Sequence, residues 1–394
     1  MNNAVSLNYL DDYSQDLVDE TVEKAFTSLN LNRLFKPKMK VLLKTCMPNS
    51  EVPDKAQCTH PSIIRGLVNV LTKRGVACVV ADSPYGKASL INLDQAYLNT
   101  GMLEVANLTT CELNHDLSVC DVEVPNGVMT KKLTLLDIAT QVDAIVNVGK
   151  IKIDKGYVGA CANIFGLIPA ELKTLVKNRM STLGEYHHYI IDMLETIGDK
   201  LVLNVLDGIV ALEANNTQRM LSCLAISEDA FSLDASIMDI LGIKYKDTIL
   251  KQAEDRGYFD SEKPYKLVDK KIEDFVIKDF ALVEFDQDTR LSDNKKQSKQ
   301  YFRSHQDRVK IDKKKCKGCG VCSKICPSGA IMMKYDKEGE LYAEVDYKKC
   351  IFCDKCHTAC PYSVVEKITP IGYKSLIKNV TRYNESEENP NNKE

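Results

Sequence analysis

Two runs of twelve residues constrain this chain more than anything else in it: CKGCGVCSKICP at 316–327 and CIFCDKCHTACP at 350–361. Both read C-x2-C-x2-C-x3-C-P. They place eight thiols close together in sequence, at Cys316, Cys319, Cys322 and Cys326 and at Cys350, Cys353, Cys356 and Cys360. The chain has 15 cysteines in 394 residues. A secreted disulfide framework suits a short, loop-rich chain, which this is not. The remaining cysteines, Cys46, Cys58, Cys78, Cys111, Cys120, Cys161 and Cys223, are scattered. In a run such as VACVVAD a thiol reads as a small buried hydrophobe. The two runs need another reason. A cubane iron–sulfur cluster requires four soft thiolates around it, and three closely spaced cysteines in one loop can wrap most of it. Paired C-x2-C motifs also bind zinc, with four ligands per ion. Each run here has its own third cysteine and a closing Cys-Pro, which favours two [4Fe-4S] clusters.

Between the runs lies IMMKYDKEGELYAEVDY, a strand, a KEGE turn and a second strand. Loop, short helix and strand therefore occur twice, predicting a pseudo-twofold βαββαβ unit over 309–370. This unit resembles the bacterial two-cluster ferredoxin domain. The resemblance implies that the fourth cysteine of each run serves the other cluster. One cluster would then take Cys316, Cys319, Cys322 and Cys360, and the other Cys350, Cys353, Cys356 and Cys326. Gly318 and Gly320 are expected to let the backbone approach the sulfides. Lysines 313–315, 317, 324, 348, 349 and 355 would favour a reduced, more anionic cluster and attract an acidic redox partner.

The larger N-terminal part alternates strand and helix patterns. Apolar strands are predicted at 39–45, 76–82, 142–150, 201–209 and 221–229, and helices at 61–75, 87–99, 131–140, 185–197, 230–241 and 246–257. Continuous β-branched runs between helices predict an α/β domain with a parallel, doubly wound sheet covered on both faces. The expected layout is an N-terminal helical segment (1–36), the α/β domain (37–286), a polar and basic linker (287–308), the ferredoxin-like domain (309–370) and a polar tail (371–394).

Open α/β sheets bind ligands at the carboxyl ends of their strands. Those ends present Lys44, Asn49, Asp82, Ser83, Lys150, Lys152 and Asp207, a candidate rim for an anionic substrate or for a divalent cation with an anion. Polar strand ends also arise simply because loops face water. The segments LLKTCMPN, HPSIIRGLVNVLTKRG, VVADSP, NVGKIKID, ANIFGLIP, NVLDGIVALE and SEDAFSLDASIMDILG, in this order, resemble the family catalogued as domain of unknown function 362, over about 39–260. Fusion to a two-cluster module occurs in that family. This chain has Lys152-Ile153-Asp154 where the family usually has lysine–threonine–histidine, and Ala162-Asn163 where it often has Lys-Asn. The family's chemistry is undefined, so the resemblance implies an architecture and no reaction.

Other signals are weaker. No G-x-G-x-x-G follows a strand and there is no P-loop motif. His187-His188 point about 100° apart on a helix and cannot easily share a metal, so they read as a polar helix start or a surface pair. Cys111, His115 and Cys120 lack a fourth nearby ligand. The net charge of −3 gives no case for nucleic acid as a partner, no apolar run reaches membrane-spanning length, and the polar N-terminus is unlike a secretory leader. The expectation is a cytoplasmic iron–sulfur electron-transfer protein, serving a redox partner protein or a small-molecule substrate. If it is an enzyme, it is an iron–sulfur oxidoreductase. The competing expectation is a non-redox ligand-binding or enzymatic α/β domain with structural or sensory clusters.

Overall fold

Alternate residues of a strand point to opposite faces, and here both faces are buried. Val41 and Leu43 face one hydrophobic cluster and Leu42 the other. Cys78 and Val80 oppose Val79 and Ala81 in the same way, as Ala144 and Val146 oppose Ile145. The computed structural model describes residues 2–291 except 87, 181 and 269, and residues 308–368 except 327, 348 and 351–354.

The first part is built on strands β1 (Ala4–Tyr9), β2 (Lys40–Lys44), β3 (Ala77–Ala81), β4 (Glu112–Leu113), β5 (Val119–Glu123), β6 (Lys132–Leu136), β7 (Ala144–Ile153), β8 (Tyr157–Val158), β9 (Leu201–Leu212), β10 (Gln218–Ser227) and β11 (Lys266–Leu267). Its helices are α1 (Gln15–Ser28), α2 (Pro61–Thr72), α3 (Leu90–Asn99), α4 (Met102–Leu108), α5 (Ile138–Gln141), α6 (Ala160–Asn163), α7 (Ala170–Arg179), α8 (Leu183–Ile197), α9 (Ala230–Leu241) and α10 (Ile249–Asp255). Nine strands form one sheet in the order β11-β1-β10-β9-β7-β2-β3-β4, with β8 paired to β7. Buried residues of α1 to α4 pack on one face, and those of α8 to α10 on the other.

Three features differ from the sequence expectation. The sheet is mixed rather than wholly parallel. β2, β3, β4, β7 and β9 run parallel, but β9–β10 and β10–β1 are antiparallel. The reason is the turn after β9: Glu213 N–H donates to Thr217 O at 2.9 Å, and the connection is too short for a crossover, which needs a dozen residues or more. Residues 1–36 are not solely helical. Strand β1 pairs with β10 and β11 before α1 begins. The helix expected at 131–140 is mostly strand β6, hairpinned with β5; only Ile138–Gln141 is helical. Leu133 and Leu135 are buried while Lys132 is exposed, a period of two within KKLTLL.

The second part has the order strand, helix, strand, strand, helix, strand: β12 (Arg308–Ile311), helix Val321–Ile325, β13 (Ile331–Tyr335), β14 (Leu341–Val345), helix Lys355–Ala359 and β15 (Val365–Ile368). β12 pairs with β15, and β13 with β14, all antiparallel. Its loops repeat with a shift of 34 residues. Cys316 N–H donates to Asp312 O, as Cys350 N–H does to Asp346 O. Asp312 N–H donates to Val364 O, as Asp346 N–H does to Ala330 O. Gly329 and Ser363 occupy equivalent turns at φ 59° and 53°, donating to the carbonyls of Cys326 and Cys360. Of the segment expected as a linker, the start is bound to the α/β part: Leu183 and Gly184 N–H groups donate to Thr289 O and Gln287 O. Residues 292–307 and the tail lie outside the described residues.

Candidate functional site

The cysteine-rich loops come first. Cys316, Cys319 and Cys322 from the first run and Cys360 from the second border one small cavity, closed on its inner side by Ile311, Ala343, Val364 and Val365. Cys322 and Cys356 are buried in the hydrophobic cluster of this module, and Cys326 and Cys350 pack against it. Cys353 lies outside the described residues. Ala330 N–H donates to Cys326 Sγ at 3.2 Å. Burial pushes the Cys322 thiol up. A coordinated iron reverses that preference, because a ligating thiol is deprotonated.

These residues fit a [4Fe-4S] group by donor type, soft thiols from both runs meeting at one place. Among the described residues, no three His, Cys, Asp or Glu side chains converge as a single ion demands. Zinc would need four ligands, with sulfur about 2.3 Å away. Gly318 has φ 60°, and a Cβ there would overlap the carbonyl oxygen of Leu341. Its freedom therefore serves close approach to β14 as well as the turn of the loop. Gly320, at φ 72°, meets nothing nearby and is explained by backbone conformation alone. Lys313 and Lys334 both pair with Glu344, pulling its carboxyl down to about 2, and Lys315 is 3.3 Å from Asp312. Two of the lysines expected to face a partner are thus drawn to nearby acids.

The strand-end rim divides into separate groups. Lys150 and Asp207 form a buried ion pair at 2.9 Å. Tyr13 donates to Asp207 Oδ1 and accepts from Lys150, and the backbone N–H of His60 donates to Asp207 Oδ2. The His60 ring stacks on Tyr13 with centroids 3.7 Å apart. Burial pushes the Tyr13 hydroxyl pKa up and the His60 imidazole down to about 4. This network satisfies its own charges. Asn49 is exposed and donates to Gln57. Ser83 borders a cavity of about 310 Å3 beside α3, and its carbonyl accepts from Lys173.

Lys44, Asp82 and Lys152 meet at a second cavity of about 230 Å3, beyond the ends of β2, β3 and β7. Lys44 Nζ is 3.4 Å from Asp82 Oδ1 and donates to Thr45 O at 2.5 Å and Asn163 Oδ1 at 3.3 Å. Asp82 also accepts from the N–H groups of Met47 and Ser83. A Cβ at Gly166 would overlap both Asp82 Oδ1 and the Lys44 ammonium, so the pair packs directly on glycine backbone. The far wall carries Asp234 of α9, which accepts from the N–H groups of Ala160 and Cys161 and from Tyr157. Burial raises its carboxyl to about 6.

Sequence reasoning missed Lys173 and Lys177 of α7 and the rings of Tyr85, Phe165 and Tyr186 at this cavity. The spacing of the two lysines, four apart in AELKTLVKNR, puts them on one helix face and was the available signal. The histidine pair also differs from expectation: His187 is buried, with Nδ1 3.1 Å from Gln287 Oε1, and its imidazole is pushed down to about 4 by burial. Cys111, His115 and Cys120 make separate contacts, with Glu112 O, Asp94 and Thr140 respectively.

Fold and site together define a mixed-sheet α/β domain joined to a ferredoxin-type iron–sulfur module. A 4Fe-4S dicluster domain model matches residues 315–364. The model for a domain of unknown function, DUF362, matches residues 41–239, and the chain belongs to that family. It is also similar to a thylakoid-associated protein of Synechocystis sp., at 25% identity over 219 residues. That match takes in 54% of this chain and 65% of the cyanobacterial protein. Among the described residues, no helix is long and apolar enough to cross a membrane.

Proposed function

We propose that the C-terminal module is an electron carrier, passing single electrons through two [4Fe-4S] clusters to or from the α/β domain or a redox partner. The observation that carries this reading is the meeting of three thiols from one run with the fourth of the other at one cavity. The ligand sets are then Cys316, Cys319, Cys322 and Cys360, and Cys350, Cys353, Cys356 and Cys326. When bound, such clusters supply reversible one-electron chemistry. The protein's share is to hold the thiolates, exclude water with Ile311, Ala343, Val364 and Val365, and leave an edge accessible. Cys319 is exposed, and Val321 beside it is 37% exposed, which supports this face as the one where electrons enter or leave. In this reading the protein works in the cytoplasm, where free thiols persist.

A second reading, in which the clusters are structural or sensory and the α/β domain acts without them, draws on one observation. The buried cluster of the module comprises eight described side chains, two of them cysteine. A core that small needs a staple. Potentiometric titration of the anaerobic protein, followed by electron paramagnetic resonance, separates the two. Electron transfer predicts reversible one-electron signals with iron retained through repeated cycles. Loss of iron or unfolding on the first reduction would decide for the structural role.

A further inference from the structure

The cavity at the ends of β2, β3 and β7 has a sign. Five lysines and three aspartates border it: Lys44, Lys152, Lys155, Lys173 and Lys177 against Asp82, Asp154 and Asp234. The acids are largely committed. Asp82 is paired with Lys44, and Asp234 is held by two backbone N–H groups and Tyr157. Asp154 is exposed at the mouth. Among the described hydrogen bonds and ion pairs, the Lys177 ammonium has no acceptor. It lies over the faces of Tyr85 and Phe165, 4.8 and 5.5 Å from the ring centres, with Asp154 its attractive charge and Lys152 and Lys155 repelling it. Burial lowers its pKa, so the fold holds this cation at a cost. Lys152 contributes a second ammonium, engaged by Gln57 O at 3.1 Å and 3.8 Å from Cys46 Sγ. Neither contact neutralises its charge.

We infer that this cavity is a binding site for a small organic oxyanion, a carboxylate or phosphate held between Lys177 and Lys152, with its carbon frame against Tyr85, Phe165 and Tyr186. A cation is disfavoured by the lysine excess. The volume of about 230 Å3 lies below the usual range of roughly 300–1,000 Å3 for drug-sized ligands, so the ligand is small. The rings supply an apolar wall, while the ammoniums fix the charged end through charge-assisted hydrogen bonds. This inference is independent of the iron–sulfur reading.

The site also has a pH signature. Lys173, buried on α7, is pushed down to about 8 by desolvation. It is faced by Asp82, Lys44 and Cys46 from the strand ends, by the Tyr85 ring with its centre 5.0 Å away, and by Lys177 on its own helix. Oxyanion affinity therefore weakens as pH rises past about 8 and one positive charge leaves the cavity.

The test is calorimetric titration of the intact, anaerobically purified chain with inorganic phosphate and, separately, with malonate, at low ionic strength. Saturable binding of either probe supports the site, and the stronger of the two names the head group. Lys177→Gln and Lys152→Gln should each weaken that binding about tenfold or more, Lys177→Arg should retain it, and the exposed Lys24→Gln should leave it unchanged. Circular dichroism checks that each variant is folded. No saturable binding of either anion to the wild-type chain would overturn the inference. So would folded Lys177→Gln and Lys152→Gln variants that bind as the wild type does.

Discussion

The two parts of the chain use cysteine and charge in opposite ways. In the α/β domain six of the seven scattered cysteines are buried, and Cys78, Cys161 and Cys223 are ordinary members of the packed core. Its interior ions, Lys44–Asp82 and Lys150–Asp207, find partners within the protein. The C-terminal module has few apolar side chains to pack, and its cysteines line the space where more of them would be. One region closes by burying hydrocarbon on both faces of a sheet. The other, under the function proposed for it, is completed by iron–sulfur clusters. Small domains cannot remove enough surface from water on their own, and the spacing of the thiols says what fills the gap.

Stripping iron anaerobically with a chelator tests the contrast most severely. The module should lose its ordered amide signals, while the α/β domain should keep its far-ultraviolet dichroism and its thermal transition. Melting of both parts together would erase the distinction. Single-cysteine variants sharpen it. Cys360→Ala and Cys316→Ala should each lower bound iron to about half and remove the same spectroscopic signal, whereas Cys326→Ala should remove the other one. Identical losses from Cys316→Ala and Cys326→Ala would show that the runs do not exchange their fourth ligands.

Within the α/β domain, Asp207→Asn leaves the Lys150 ammonium buried without its counter-charge. It should cost about 3–5 kcal/mol in denaturant unfolding. A cost under about 1 kcal/mol would mean that the pair is hydrated. Acidification is the next effect in size. His60 and His187 are both held near 4, below the unfolded value of about 6.5. The stability they confer is complete above 6.5 and is lost as pH falls from there towards 4, up to ~3 kcal/mol for each. Asp234 has the opposite sign: raised to about 6, it returns some stability as pH falls from 6 towards 4. His187→Gln should flatten the net decline, and an unchanged pH profile would place that imidazole in water. The smallest effect belongs to the module's surface. Lys313→Gln should change stability by less than ~1 kcal/mol, as exposed ion pairs do.

How much of this was legible in the sequence depends on how local the determinant was. Ligand spacing is a local property, so the repeated cysteine pattern anticipated the βαββαβ order and the hairpin between the runs. The buried runs at β2, β3 and β7 were equally plain, because both faces of those strands are covered. The direction of β10 was hidden in a short turn after Leu212, and β6 was hidden by a two-residue period inside a stretch that also has helix formers. The rim was read from strand ends alone. That placed Lys44, Asp82 and Lys152 together, but it also gathered in Lys150 and Asp207, which Tyr13, between β1 and α1, seals off. Lys173 and Lys177 reach the cavity from a helix whose docking depends on tertiary packing, which no local pattern encodes.

The most direct measurement is iron, zinc and acid-labile sulfide analysis of the intact chain purified without oxygen. The account predicts a brown protein with about eight irons and a matching amount of sulfide per chain. Zinc in both loops, with no sulfide, would contradict it.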